Sequence, residues 1–348
     1  MPNYFRPVMG KSSNACLSLL LIFTISTTAC AQNKPLPNDS KTLKMAFWNM
    51  ENLMDTIDGD GFDTDFTPTG ANAWNSEKYS HKLENMARGI QIINPDVLGM
   101  AEVENKQVLE DLIAQKSLKP LNFGIVHHES PDERGIDVAL LYNKNELRLL
   151  SSEAITVTLS DTDRTRDILY VMLLSKNTDT VHVFVNHWPS RRGGRNTSDG
   201  KRAIAAQTLR QFIEKKQLQH SSIIIVGDLN DDPQDNNVKF VLSARPVQQL
   251  EADGYLLSLN SEIQTDTVGT LKFGNAWNMF DQMIISDALY KSNSGLKYHK
   301  GSFSIFAPEW LKQSEGKYKG SPFRTFGGKN WLDGYSDHFP VYAEFYYE

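Results

Sequence analysis

The run Ile223-Ile224-Ile225-Val226 passes straight into Gly227-Asp228-Leu229-Asn230-Asp231-Asp232-Pro233. Four β-branched residues without a polar break, bounded by Gly and Pro, read as a strand covered on both faces, so the chain must bury a sheet on two sides. Asp228 and Asn230 then stand at the rim of a core. A turn alone would account for them, because Asn, Asp and Pro are ordinary turn residues. The same pattern, an apolar strand running into a carboxylate, an amide or a histidine, nevertheless recurs several times along the chain.

Taken in order, a strand over 43–48 ends at Asn49, with Glu51 and Asn52 just beyond. Residues 55–75 are rich in Gly, Asp and Thr and read as a loop. Asp58, Asp60, Asp63 and Asp65 there imitate a calcium loop, but the bidentate Glu that should close one is missing, and the stretch reads as solvated. A helix is expected over 76–93, capped by Ser76, with Tyr79, Leu83, Met86, Ala87, Ile90 and Ile93 on one face and Pro95 stopping it. A strand over 96–101 delivers Glu102. A short amphipathic helix from 105 to about 115 follows, then strands at 123–127 and, after the charged turn 131–135, at 136–142. That last strand carries Asp137 near its start.

Further strands are expected at 168–174 and 181–186. The second ends at His187-Trp188-Pro189-Ser190-Arg191-Arg192-Gly193-Gly194-Arg195. A helix over about 199–216 precedes the isoleucine strand, and a strand over 280–285 carries Asp281 near its start. Residues 287–330 show no clear period and read as loops. Ser336-Asp337-His338 introduces a final strand over 339–345. No second break in composition occurs, so one domain from 43 to 348 is the simplest organisation.

The N-terminus is of another kind. Arg6 and Lys11 precede the apolar run 17–25, and small residues follow through Ala31, as in a signal peptide whose apolar core is too short to span a bilayer. Cleavage after Ala31 would leave Gln32 first. The alternative is a lipoprotein site leaving Cys30 lipidated. The protein is therefore expected to be exported: periplasmic, secreted or lipid-anchored to the outer membrane. Residues 32–42 are polar and proline-bearing, as in a linker. Cys16 and Cys30 both fall in the leader, so the folded part has no disulfide and must rely on its core, with bound metal as a further support. Residues 1–31 carry two basic and no acidic residues, which leaves 34 basic against 42 acidic, net −8. That balance argues against broad attraction to nucleic acid but leaves room for a local basic groove.

At the strand edges stand Asn49, Glu102, Asp137, His187, Asp228, Asn230, Asp281, Asp337 and His338. Carboxylates and an amide at converging strand ends suit a hard, oxygen-seeking cation such as magnesium, with manganese as an alternative and calcium confined to a structural part. Thiolates are absent, which disfavours structural zinc. A magnesium ion that binds substrate phosphate implies attack of water on a phosphoester. Such a reaction needs a base, a donor for the leaving oxygen and cations for developing charge. His338 with Asp281, and His187 with another acid, are the available base pairs.

The segments Phe47-Trp48-Asn49, Ala101-Glu102-Val103, Asn186-His187-Trp188-Pro189-Ser190, Gly227-Asp228-Leu229-Asn230, Phe280-Asp281-Gln282 and Ser336-Asp337-His338-Phe339-Pro340-Val341 stand in one order along nearly the whole mature chain. In these segments and their order the chain resembles the endonuclease/exonuclease/phosphatase superfamily, the deoxyribonuclease I-like proteins. The resemblance implies an α/β (α+β) fold: a four-layer sandwich of two mixed β-sheets packed face to face with helices outside. It further implies Glu102 as principal metal ligand, helped by Asn49 and Asp337, and His338, oriented by Asp281, as general base. Asp228 and Asn230 would position water and phosphate, His187 would contact phosphate or protonate the leaving group, and Asp137 is the candidate orienter of His187, on a looser match. Trp188 and Trp277 read as core. Arg191, Arg192 and Arg195 in a Gly-rich loop suit phosphate, since guanidinium forks match its oxygens.

The leading expectation is an exported, metal-dependent phosphodiesterase acting as a nuclease on DNA or RNA. The alternative is a hydrolase of lipid headgroups or small phosphoesters, and a third reading is a surface binding protein without catalysis. No obligate protein partner is expected, and a monomer is the simplest state.

Overall fold

The computed structural model describes residues 1–4, 41–59, 61–160, 163–176, 179–250, 256–263, 267–273 and 275–347. The expected signal peptide beyond residue 4, Cys30, and linker residues 32–40 lie outside the described residues.

Two seven-stranded sheets take up the apolar runs. In the first, the order is β14 (Leu296–Tyr298), β18 (Val341–Tyr347), β1 (Thr42–Leu53), β2 (Val97–Val103), β4 (Asp137–Asn143), β3 (Phe123–His127), with β15 (Ser304–Ile305) also on β18. The second runs β5 (Leu147–Ile155), β6 (Ile168–Ser175), β7 (Thr180–His187), β8 (Ser222–Asp228), β13 (Asp281–Ser286), β10 (Leu256–Ser258), β9 (Ala244–Pro246). Two small hairpins, β11–β12 (Leu271–Phe273, Ala276–Asn278) and β16–β17 (Phe326–Gly327, Asn330–Trp331), stand apart from the sheets.

Alternation along each strand divides its side chains between two cores. Phe47, Val185 and Val226 face the other sheet in the central core. Their neighbours turn outward: Trp48 packs with Met86, Ile90 and Leu109 of α1 (Ser76–Ile93) and α2 (Lys106–Ile113), and Phe184 and Ile225 pack with Ala205 and Leu209 of α3 (Arg195–Lys215). The resulting layers, helices, sheet, sheet, helix, are the expected four-layer α/β sandwich. The sheets approach closely at Gly99, where a Cβ would come within 2.8 Å of Val226 Cγ2.

One topological fact decides where polar residues gather. β1 and β2 are parallel across α1, and β7 and β8 are parallel across α3. Their carboxyl ends carry Asn49, Glu102, His187 and Asp228. The strands antiparallel to them, β4, β13 and β18, start at that same rim, so Asp137, Asp281 and the Ser336-Asp337-His338 turn arrive there from their amino ends.

Several boundaries differ from those expected. Asn75, not Ser76, caps α1, its side chain accepting from Lys78 N, and Asn94 closes the helix in the left-handed region. Strand β5 was not legible: it is an edge strand with a bulge near Leu149 and Ser151, so its exposure never settles into alternation. Helix α3 starts at Arg195 rather than 199, which brings the last of the loop arginines into its first turn. β18 starts after Pro340, which has no N–H for a ladder. Residues 287–330, read as loops, also hold the short helix α4 (Asp287–Lys291) and brief strands among otherwise irregular chain.

Candidate active site

The C-terminal turn is tied to β1 by buried hydrogen bonds across nearly the whole sequence. Trp48 Nε1 donates to the His338 carbonyl at 3.0 Å, Ser336 Oγ donates to the Asn49 carbonyl at 2.7 Å, and Ser336 Oγ in turn accepts from His338 N at 3.0 Å. His338 is thereby fixed beside Asp281, whose Oδ2 lies 2.7 Å from Nδ1, and His338 Nε2 lies 3.8 Å from Asp228 Oδ2. That same Asp228 oxygen accepts from Asn49 Nδ2 at 3.1 Å and lies 3.6 Å from His187 Nε2. His187 Nε2 is 3.9 Å from Glu102 Oε1. Asn49, Glu102, His187, Asp228 and Asp281, from five strands, with Asp337 and His338 from the turn before β18, thus form one connected group.

Four residues at this rim hold non-glycine backbone in the left-handed region: Glu51 (φ 47°), Asn52 (φ 57°), Glu102 (φ 59°) and Asn230 (φ 49°). Such conformations cost about 1–3 kcal/mol each and concentrate where geometry serves a site. For Glu102 the reward is local, because its Oε2 accepts from Asn52 N at 3.0 Å. Asn230 serves Asp228: its backbone N donates to Asp228 Oδ1 at 3.0 Å while its amide nitrogen is anchored on the Trp188 carbonyl.

The charges are unevenly held. Burial opposes a charged His338, yet the Asp281 and Asp228 carboxylates outweigh it and raise the ring well above the usual imidazole range. Burial first, and the Asp281 charge with it, pushes Asp228 up to about 7 against the pull of His338. His187 moves the other way: burial, then Arg166, Arg134 and His338, hold it well below the usual range, so it is a neutral ring. Its Nδ1 is buried without a partner among the described residues. Next to Asp337 lies Glu51, pushed up to about 7 by burial and by the Asp337 charge. Lys82, fully buried on α1, donates to Thr325 Oγ1 and the Tyr335 carbonyl, both at 2.6 Å, and burial lowers it to about 8.

Two expectations are corrected. Asp137 does not orient His187: at the start of β4 its Oδ2 lies 2.9 Å from His127 Nε2 and its Oδ1 accepts from Ser130 N and Oγ, so it faces His127 instead. Nor are the loop arginines free for phosphate as a set. Arg191 spends its guanidinium on the Asn230 carbonyl, Asp231, Asp232 and Asp235, and Arg195 pairs with Asp235. The acids that follow β8 neutralise them. Arg192 alone of the three is exposed with no side-chain partner described. The cations actually at the rim come from elsewhere. Arg134 donates to Asn52 Oδ1 and lies 3.6 Å from Glu102 Oε1, Arg324 pairs with Asp337 at 2.6 Å, and Arg166 donates to the carbonyls of His187 and Trp188. Arg134 sits in the charged turn the sequence displays, but nothing in the pattern around Arg324 marks it. Trp188 is core, as read, and Trp277 is half-buried, stacked on Phe339.

The donor set suits a divalent cation. Glu102 Oε1 makes no hydrogen bond among the described residues, and Asn49 Oδ1, which also accepts from Glu51 N at 3.0 Å, and the Asp337 carboxylate, one oxygen of which accepts from Arg324, are the oxygen donors beside it that a hard ion takes. Burial first, and then the Asp337 charge, pushes Glu51 up, and the second of these is what a dication would relieve. Magnesium, which keeps several waters, needs only one or two such carboxylates.

A family model described as "Endonuclease/Exonuclease/phosphatase family" matches residues 44–346. Among solved structures, a humanized D. rerio TDP2 aligns at TM-score 0.56 and 13% identity over 87% of this chain and 98% of its own. A mannosyl-6-phosphatase from Bacteroides thetaiotaomicron VPI-5482 aligns at TM-score 0.55 and 15% identity over 87% and 99%, and the catalytic domain of human Nocturnin, with bound sulfate, at 0.52 and 16% over 89% and 97%. No curated protein sequence matches the chain. At these identities the structural likeness is one of fold.

Proposed function

Because this chain belongs to the endonuclease/exonuclease/phosphatase family, whose members are phosphoester hydrolases that generally depend on a divalent metal, we propose that it hydrolyses a phosphoester with magnesium or manganese. The observation that carries this is the Asp228–His338–Asp281 arrangement facing Glu102 across His187.

The protonation states redistribute the roles that the resemblance implied. A ring held as imidazolium by two carboxylates cannot take a proton near neutral pH, so His338 serves as cationic donor to the phosphate or leaving oxygen. Asp228, raised to about 7, is poised to accept a proton from water, close to the working pH that general-base catalysis favours. Asn49 and the Asn230 backbone hold that carboxylate in place. His187, neutral, contributes an N–H toward phosphate rather than a proton to the leaving group. Arg134 and Arg324 complement the developing negative charge. Glu102, Asn49 and Asp337 would hold the cation, which supplies charge neutralisation and polarisation of the phosphoryl oxygen.

For the substrate we favour a compact or terminal phosphoester. A long polyanion would need a continuous cationic track, and the loop that could have provided one has two of its three guanidiniums tied to Asp231, Asp232 and Asp235. The nuclease reading keeps one observation, the exposed Arg192, next in sequence to Arg191, which binds the Asn230 carbonyl. A panel of sugar phosphates, aryl phosphate mono- and diesters, phospholipid, plasmid DNA and RNA, with magnesium or with chelator, tests both. Turnover of small esters that is lost in chelator supports the proposal. Degradation of DNA or RNA with small esters untouched would replace it by the nuclease reading, and turnover unaffected by chelator would remove the metal. Export rests on the leader alone. Mass spectrometry of the mature protein distinguishes a Gln32 start from a lipidated Cys30.

A further inference from the structure

The residue pair that failed to join the catalytic rim forms a cluster of its own. His127 ends β3, Asp137 begins β4, and the register pairs His127 with Ala139, so His127 and Asp137 are diagonal neighbours on one face of the sheet. Glu129, two residues past the end of β3, brings its carboxylate to the same pair. Asp137 Oδ2 lies 2.9 Å from His127 Nε2, and Glu129 Oε1 lies 3.8 Å from His127 Nδ1. One ligating atom from each of the three falls within 4.8 Å of the others, and among the described residues no other trio of acids, histidines or cysteines meets that separation. Ligands of a tetrahedral zinc ion, each about 2.1 Å from the metal, stand about 3.4 Å apart.

We propose that His127, Glu129 and Asp137 form a second metal site, separate from the catalytic cation, that takes a divalent transition ion of the zinc or manganese class. An imidazole with two carboxylates and open positions for water is a donor set such ions accept. The charges agree, because two carboxylates around one imidazole leave net negative charge whether or not the ring is protonated. His127 and Asp137 have side chains only 3% exposed and give a rigid half-site, while Glu129, 72% exposed, gives the entry path and can close on the ion. Ser130 N and Oγ, donating to Asp137 Oδ1 at 2.8 and 2.5 Å, orient the buried carboxylate as second partners of metal ligands commonly do.

The site would act as a clasp. Glu129 and Asp137 stand at the two ends of the segment 130–136, so one ion bound to both closes that loop. The loop carries Asp132, which pairs with Arg166 at 2.9 Å, and Arg134, which reaches Asn52 and Glu102. An ion at the clasp thus fixes the two arginines nearest His187 and Glu102 without touching the acids of the rim.

The test uses the untagged mature chain carrying Glu102→Gln, which removes the principal catalytic ligand, titrated calorimetrically with zinc and with manganese. The expected result is one equivalent bound, a drop in affinity of at least about tenfold in Glu129→Gln, and loss of that equivalent in His127→Gln. Hydrogen exchange in 130–136 should slow on adding zinc to the parent and remain unchanged in Glu129→Gln. Since Glu129 is exposed, its variant folds whatever becomes of His127→Gln. Equal affinity in parent and Glu129→Gln, or no saturable binding of either ion, overturns the proposal. Failure of the phosphoester panel would leave this result unaffected, because neither readout is activity.

Discussion

Glu51 gives the most direct measure of how much strain the rim stores. Its carboxyl is buried beside Asp337 and moves from 4.5 to about 7. Between those values the folded state holds a proton that the unfolded chain has released, so stability falls as pH rises through the window and is fully present only below it. At about 1.36 kcal/mol per pKa unit, that displacement corresponds to roughly 3 kcal/mol. Glu51→Gln keeps the acceptor for the Thr325 N–H and cannot ionise. In urea unfolding with excess EDTA, the variant should match the parent near about pH 4, below the window, and exceed it by up to about 3 kcal/mol near about pH 8. The gain is trimmed because Lys82, held at about 8 against burial partly by the Glu51 charge, loses that support. Adding magnesium should narrow the difference, since the cation offsets the same crowding of acid. A stability difference that stays flat with pH to within about 0.5 kcal/mol would refute the reasoning.

Other perturbations separate the proposed roles. Asp228→Asn keeps an acceptor for Asn230 N but cannot take a proton, so turnover should fall by about 10²–10⁴-fold with the circular-dichroism spectrum unchanged; a smaller loss would return the base to His338. Arg191→Ala takes one guanidinium from Asp231, Asp232 and Asp235, of which Asp231 keeps Arg202 and Asp235 keeps Arg195, and should cost about 1.5–3 kcal/mol in denaturant unfolding, whereas exposed Arg192→Ala should stay within about 0.5 kcal/mol and weaken binding only of polyanions. Gly89→Ala would bring a Cβ to 2.5 Å from Trp48 Cζ3, and the overpacked core should lose about 1–3 kcal/mol. Because Trp48 Nε1 holds the His338 carbonyl, that variant should lose turnover as well, and full activity would show the indole to be mere filler.

What the sequence determined by itself was the strand-to-acid pattern. Buried strands must be apolar along their length, and polar residues placed where burial ends are visible without any contact map, so Asn49, Glu102, His187, Asp228, Asp281 and His338 could all be named as one set. Helix α1 was legible for a similar reason, its apolar stripe being local. Contacts between distant segments were not. That Asp137 belongs to His127, that Asp231, Asp232 and Asp235 quench Arg191 and Arg195, and that Arg134 and Arg324 supply the rim's cations are facts of register and of loops meeting across the sheets. Protonation followed the same division. A sequence shows which groups can titrate, but burial and the charges that folding brings within a few ångströms set the order in which they do, and so decided that His338 carries the proton while Asp228 waits for one.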